Sequence, residues 1–186
     1  MIDLPASAAW RHLDARDGFE VVFARRKDGG YRFDGYSTAV EDGEVWSVRY
    51  EITLDGDWRT LDAHVSGASV HGPAAIRLER APEGWRVDGR PLPELADCAD
   101  VDLEASALTN AFPVHRLRLE VGASADAPAA YVRAPTLEVE RLSQRYARLG
   151  DARYDYESPS FGFRAELEYD AFGLVLDYPG IAVRVA

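Results

Sequence analysis

The side chains best suited to chemistry crowd into one stretch, residues 97–119, which holds Asp97, Cys98, Asp100, Asp102, Thr109, Asn110, His115 and Arg116. Three acids at such close spacing suggest a hard-cation site, but a hard cation needs several oxygens converging on one point. On a strand, Asp100 and Asp102 share one face while Val101 and Leu103 take the other, the arrangement of a solvated strand face. The glycine and terminal acid of a calcium loop are missing from their places, so no metal is expected. His12, His64, His71 and His115 are scattered, without the three or four converging ligands that zinc needs. Cys98 would need a nearby base and an electropositive setting to act as a nucleophile. Its neighbours Asp97 and Asp100 disfavour the thiolate instead, which points to an inert thiol. No nucleophile elbow, phosphate-binding loop or dinucleotide fingerprint occurs, and no cofactor is expected.

The run Thr109-Asn110-Ala111-Phe112-Pro113 reads as a structural device. Asn bonds nearby backbone and Pro biases the residue before it toward extended geometry. This predicts a turn leading into a strand at residues 114–119, with Asn110 and Arg116 presenting polar groups at a cavity mouth. A single helical turn is predicted near residues 105–110, with Ser106 as its cap.

The elements that must hold these groups are strands. Trp46, Val48, Tyr50, Ile52 and Leu54 alternate with polar residues, as do Phe161, Phe163, Ala165, Leu167 and Tyr169, and Ile181, Val183 and Val185. Period-two alternation gives each strand one apolar and one wet face, as in an antiparallel sheet covering a core on one side. Lys27-Asp28-Gly29-Gly30, Glu41-Asp42-Gly43, Asp55-Gly56-Asp57, Glu83-Gly84 and Asp88-Gly89 fit tight hairpin turns. The first half therefore reads as a meander over residues 8–16, 19–26, 31–40, 44–54, 58–67, 75–80 and 84–88. Residues 142–149 read as a short helix, because Leu142, Tyr146 and Leu149 recur at helical spacing before Gly150. Residues 123–130 read as a loop. Asp57-Trp58-Arg59 and Gly84-Trp85-Arg86 echo each other, an echo that shared hairpin chemistry explains without a duplicated fold.

The 186 residues fit one domain, residues 1–186, large enough to bury a core without staples. Apolar content of 47% and charged content of 28% are those of a folded chain. A net charge of -11 argues against nucleic acid or an anionic membrane as the main partner. Lys27 is the only lysine, so the cationic side chains are almost all arginine, the better bidentate anion ligand. The single cysteine excludes an intrachain disulfide. No run of about 18 apolar residues predicts a transmembrane helix. Met1-Ile2-Asp3-Leu4-Pro5 has no basic or apolar leader region, which predicts a cytoplasmic location.

Several blocks together resemble the bacterial putative glycolipid-binding family, long known only as a domain of unknown function. They are Asp97-Cys98-Ala99-Asp100-Val101-Asp102-Leu103, Thr109 to Pro113 with Arg116, Gln144-Arg145-Tyr146, and Gly173-Leu174-Val175-Leu176-Asp177-Tyr178-Pro179, with Asp57-Trp58-Arg59 upstream. The likeness spans nearly the whole chain. The chain departs from the family pattern at Ala107, where proline is commoner, and at Ala111-Phe112, where Thr-Leu is. The resemblance implies an all-β, predominantly antiparallel spiral β-roll with one or two short helices, shaped like an open half-barrel. It also implies a non-catalytic binding protein for an amphiphile, a glycolipid or acyl conjugate, on the concave face of the sheet. Tyr131, Tyr146, Tyr154, Tyr156, Tyr169 and Tyr178 suit such a pocket, each having an apolar body and a polar tip. The expected ligand contacts are Arg59, Asn110, Arg116, Gln144, Tyr146 and Tyr156. Two alternatives remain: a small hydrolase or isomerase using Asp100, Asp102 or His115 as acid and base, and a protein-interaction module working through an exposed strand edge.

Overall fold

A computed structural model describes residues 3–14 and 16–186. The N-terminal pair Met1-Ile2, part of the leader reading above, lies outside the described residues. So does Ala15, inside the expected strand at residues 8–16.

The first half is an antiparallel meander: β1 (Ser7–His12), β2 (Asp17–Lys27), β3 (Gly30–Glu41), β4 (Glu44–Leu54), β5 (Thr60–Ser69), β6 (Gly72–Ala81), β7 (Gly84–Val87) and β8 (Arg90–Leu92). Its tight turns follow the expected chemistry. Asp28-Gly29, Asp42-Gly43 and Asp88-Gly89 each hold positive φ at both residues, the twist-compatible hairpin geometry that Asp-Gly favours. The chain then leaves the large sheet for an inner strand, β9 (Asp100–Leu103), a 3-10 turn at Leu108–Asn110 and one helix, α1 (Ala111–Leu117). It returns through β10 (Ser124–Asp126), β11 (Ala129–Val132), β12 (Val139–Leu142), β13 (Arg145–Arg148), β14 (Arg153–Ser158), β15 (Phe163–Tyr169), β16 (Val175–Tyr178) and β17 (Ala182–Arg184).

Fourteen strands form one antiparallel sheet in the order β10-β13-β14-β15-β16-β17-β1-β2-β3-β4-β5-β6-β7-β8. The first and last strands pair, Trp10 opposite Arg184, and so join the two halves of the sheet. Its edges, β8 and β10, do not pair with each other, so the roll stays open. Both edges are three residues long, which leaves little template for strand addition. A second sheet, β12-β11-β9, sits apart from the large one, with β9 and β11 parallel.

The inner segment fills the roll of the first half. Leu95, Cys98, Val101, Leu103, Leu108, Ala111 and Phe112 are buried in one cluster with Trp10, Phe33, Tyr50, Ile52, Leu78 and Trp85 of the sheet. At Gly35 the backbone passes against the Tyr50 ring, where a Cβ would stand 1.9 Å from Cζ. The ring can therefore lie across β3. Its hydroxyl reaches Glu20 and, with Ser106, donates to Glu20 Oε1, while the Ala107 N–H donates to Oε2 at 2.7 Å. Burial outweighs these bonds and raises the Glu20 carboxyl to about 7.

The local structure departs from the sequence pattern at several places. Residues 114–119 are not a strand: residues 111–117 form α1. Pro113 falls in its first turn, where a missing N–H costs nothing. Arg118, in left-handed geometry (φ 48), ends the helix by donating its N–H to the Val114 carbonyl. Residues 142–149 are not a helix but the end of β12 and all of β13, with Tyr146 inside and Leu149 exposed. The expected loop at residues 123–130 contains β10 and the start of β11. Asp100 and Asp102 are not solvated, being 1% and 8% exposed, because β9 is covered on both faces. Ser106 bonds Glu20 rather than capping a turn.

Candidate functional site

The three acids that looked like ligands each have a separate protein partner. Asp97 accepts from Arg141 at 3.0 and 2.7 Å. Asp100 accepts a bidentate pair from Arg116, Nε at 3.1 Å and Nη2 at 2.5 Å. Asp102 accepts from the Thr109 hydroxyl at 2.6 Å. Burial pushes the Asp100 carboxyl up, opposed by Arg116, Arg80 and Arg59. Cys98 is buried, and burial, followed by Asp97, pushes its thiol up to about 12, so it stays protonated at neutral pH.

The expected binding residues fall into two groups. Arg59 and Arg116 both act on Asp100, Arg116 as its bonded partner and Arg59 from the exposed turn after β4. Asn110, Tyr146 and Tyr156 come together on the other side of α1. The Tyr146 hydroxyl donates to Asn110 Oδ1 at 2.9 Å, and the Tyr169 hydroxyl donates to the Asn110 carbonyl at 3.3 Å. Tyr146 packs on Tyr156 with ring centres 5.1 Å apart. Gln144, just before β13, is buried, and its Oε1 has no partner among the described residues.

These tyrosines belong to a second core, formed by Tyr146, Tyr154, Tyr156, Tyr169 and Tyr178 with Val114, Leu167 and Val175. It lies between α1 and strands β13 to β16. A cavity opens at each end of β14 and β15. The larger is a half-open cleft of about 800 Å3 at the start of β14 and the end of β15. The smaller, about 250 Å3, lies at the end of β14 and the start of β15, with Asp102, Asn110 and Tyr156 in its wall. His115 lines the first and Asp102 the second, so the acid and base candidates do not converge on one space.

Turns from both halves of the sheet build the larger cleft. Asp55 accepts the backbone N–H groups of Asp57 and Arg59, both at 2.9 Å, and so shapes the β4–β5 turn. That turn holds Trp58 in left-handed geometry (φ 66), a conformation seldom adopted by so bulky a residue. The indole then stacks on the His115 ring, centroids 3.7 Å apart and planes 10° off parallel. Tyr31 packs on the same indole at 4.8 Å. Opposite, Arg148 is tied to the carbonyls of Leu119 and Gly150 and fixes the β13–β14 turn beside Tyr154.

Two polar groups in this cleft are unspent. His115 Nε2 is buried without a hydrogen-bond partner among the described residues. Burial lowers the ring's pKa to about 4, so it is neutral at physiological pH. Gly173 (φ +73) lets the backbone pass directly against this nitrogen, since a Cβ there would stand 2.5 Å from Nε2. The side chain of Arg118, exposed at the end of α1, makes no hydrogen bond or ion pair among the described residues. Two exposed apolar side chains, Leu149 and Phe172, stand on the neighbouring β13–β14 and β15–β16 turns.

Sequence reasoning singled out His115 but not its setting. Trp58, Arg118, Arg148 and Gly173 come from separate turns and meet only in the fold. The Trp58/Trp85 echo was the available signal, and the two sites diverge. Trp85 is a core residue whose indole N–H donates to the Cys98 carbonyl at 3.0 Å, whereas Trp58 forms a cleft wall.

The family described as "Putative glycolipid-binding" matches residues 7–184. A crystal structure of a DUF1089 family protein from Pseudomonas aeruginosa is similar over 100% of this chain and 95% of that one, with 30% sequence identity and a TM-score of 0.77. No curated protein matches the chain. No helix among the described residues is long and apolar enough to cross a membrane.

Proposed function

Because the chain belongs to this glycolipid-binding family, we propose that it is a non-catalytic binding protein that takes the sugar head of an amphiphile in the larger cleft. The observation that carries this reading is a half-open cleft of about 800 Å3 walled by Trp58, Tyr31, His115 and Tyr154, with the Arg118 side chain in its lining. The neutral His115 ring can meet a hydroxyl as donor or acceptor, according to its tautomer. Arg118 offers further donors at the cleft mouth, and the aromatic walls formed by Trp58, Tyr31 and Tyr154 suit the apolar faces of a sugar ring. The volume lies within the ordinary range for a small-molecule site. Leu149 and Phe172 would take the first methylenes of the acyl chain. Asn110, Tyr146 and Tyr156 then serve by fixing α1, and with it His115, against the sheet. Arg116 does the same from the opposite side through Asp100.

Titration calorimetry with a short-chain alkyl glucoside, below its micelle concentration, tests this reading. Saturable binding is expected, weakened about tenfold in Arg118→Ala, the loss of one charge-assisted hydrogen bond. Heats that never saturate, or wild-type affinity in both Arg118→Ala and His115→Phe, would overturn it.

A further inference from the structure

The smaller cavity has a chemistry of its own. Rings of Tyr131, Tyr156, Phe161, Phe163 and Tyr178 line its wall, together with the buried carboxyl of Asp102. Tyr131 and Phe161 pack at 5.4 Å, while Phe163 and Tyr178 pack at 5.9 Å, so the walls support one another. Asp102 has no bonded cation. Its side-chain partner is the Thr109 hydroxyl, and its near charged neighbours, Asp100 and Glu104, are acids. Arg16 also lines the cavity, but its Nη2 lies 3.2 Å from Glu41 and 3.7 Å from Glu104, and its guanidinium sits over Trp46. The charge of Arg16 is thus matched elsewhere, and Asp102 remains a buried carboxyl without a counter-ion.

We propose that this chamber is a second binding site, for a quaternary or alkylammonium group that pairs with Asp102 and is faced by the aromatic rings. Aromatic faces carry negative potential and attract a desolvated cation. Two of these rings already do so from outside: the Arg133 guanidinium carbon stands 6.0 Å from the Tyr131 ring centre and 5.7 Å from that of Phe161. An entering ammonium would supply the charge that Asp102 lacks. The same lack of a cation, with burial as the first cause, is reflected in the carboxyl's rise to about 6. About 250 Å3 admits a head-group-sized cation and not a long acyl chain. The chamber lies at the opposite end of β14 and β15 from the cleft, so this proposal does not rest on the sugar-binding reading.

Choline chloride is the probe, with its neutral carbon isostere as the matched control, each titrated into the full chain by calorimetry. Choline is expected to bind at one site, with the isostere at least about tenfold weaker. Asp102→Asn keeps the acceptor for Thr109 and removes the charge, and is expected to lose about tenfold or more in choline affinity. Phe161→Ala, at an exposed position outside the buried cores, is expected to weaken choline several-fold. Equal affinity for choline and isostere, no binding of either, or unchanged choline affinity in folded Asp102→Asn would each overturn the proposal.

Discussion

The two halves of the large sheet enclose cores of opposite character. The first half closes on Trp10, Phe33, Tyr50, Ile52, Leu78 and Trp85, and the inner segment plugs it with Leu103, Leu108 and Phe112. The second half closes on Tyr146, Tyr154, Tyr156, Tyr169 and Tyr178. The first core is mostly hydrocarbon and indole, with the Tyr50 hydroxyl bonded to Glu20, whereas a tyrosine core brings a hydroxyl with every ring, and each hydroxyl needs a partner. Tyr146 and Tyr169 find theirs in Asn110. Tyr154 and Tyr169 face the cleft, and Tyr156 and Tyr178 face the chamber. The tyrosine half thus supplies walls to both cavities, while the first half adds Tyr31 and Trp58 to the cleft alone.

That contrast can be broken by mutation. Phe112→Ala empties the contact between plug and sheet and is expected to cost about 3–5 kcal/mol in urea unfolding. A cost near that of a tyrosine hydroxyl would mean the first core is not the tighter one. Next in size is the pH response of Glu20 in that same core. Its folded carboxyl is raised to about 7 from an ordinary 4.5. Its contribution is therefore fully present below pH 4.5 and lost as pH rises through 7. Relative to Glu20→Gln, wild-type stability should fall by up to ~3 kcal/mol between pH 5 and pH 8; a constant gap would contradict it. His12 and His115 act in the opposite sense, since both are lowered to about 4 from 6.5 by burial. Their stability is present above pH 6.5 and lost as pH falls toward 4, which is why the variant comparison is needed.

The second core should respond more weakly. Asn110→Ala removes the acceptor of Tyr146 and is expected to cost about 1–3 kcal/mol, read from the urea midpoint. A loss of ligand affinity larger than this stability change would show that Asn110 contacts ligand rather than positioning α1. Smallest of all, Tyr154→Phe deletes a hydroxyl at the cleft wall. It should move stability by less than about 1 kcal/mol while changing glucoside affinity, and the reverse ranking would erase the distinction between the halves.

The two halves also differed in how far they could be read beforehand. The meander was legible because its strands have one wet face, so alternation and Asp-Gly turns mark both register and boundaries. Residues 97–119 were not, because β9 is covered on both sides and its carboxylates are buried with partners, which leaves no wet face to produce a pattern. A seven-residue helix is too short to show helical periodicity, and Pro113 suggested extension until tertiary packing put it in the first turn of α1. At β13 the spacing of Leu142, Tyr146 and Leu149 mimicked a helix, but only Leu142 and Tyr146 face the core. The site was legible in part for a similar reason. Asn110, Tyr146 and Tyr156 do meet, whereas the cleft depends on Trp58, Arg118 and Gly173, whose positive φ values and convergence no local spacing reveals.

The most direct test of the account is the imidazole spectrum of His115 during a titration with a short-chain alkyl glucoside at neutral pH. The chain has four histidines, so His12, His64 and His71 serve as internal controls. A saturable shift of the His115 ring resonances is expected, with those of the other three histidines unmoved. Saturable binding that leaves His115 unmoved, or no saturation at all, would contradict it.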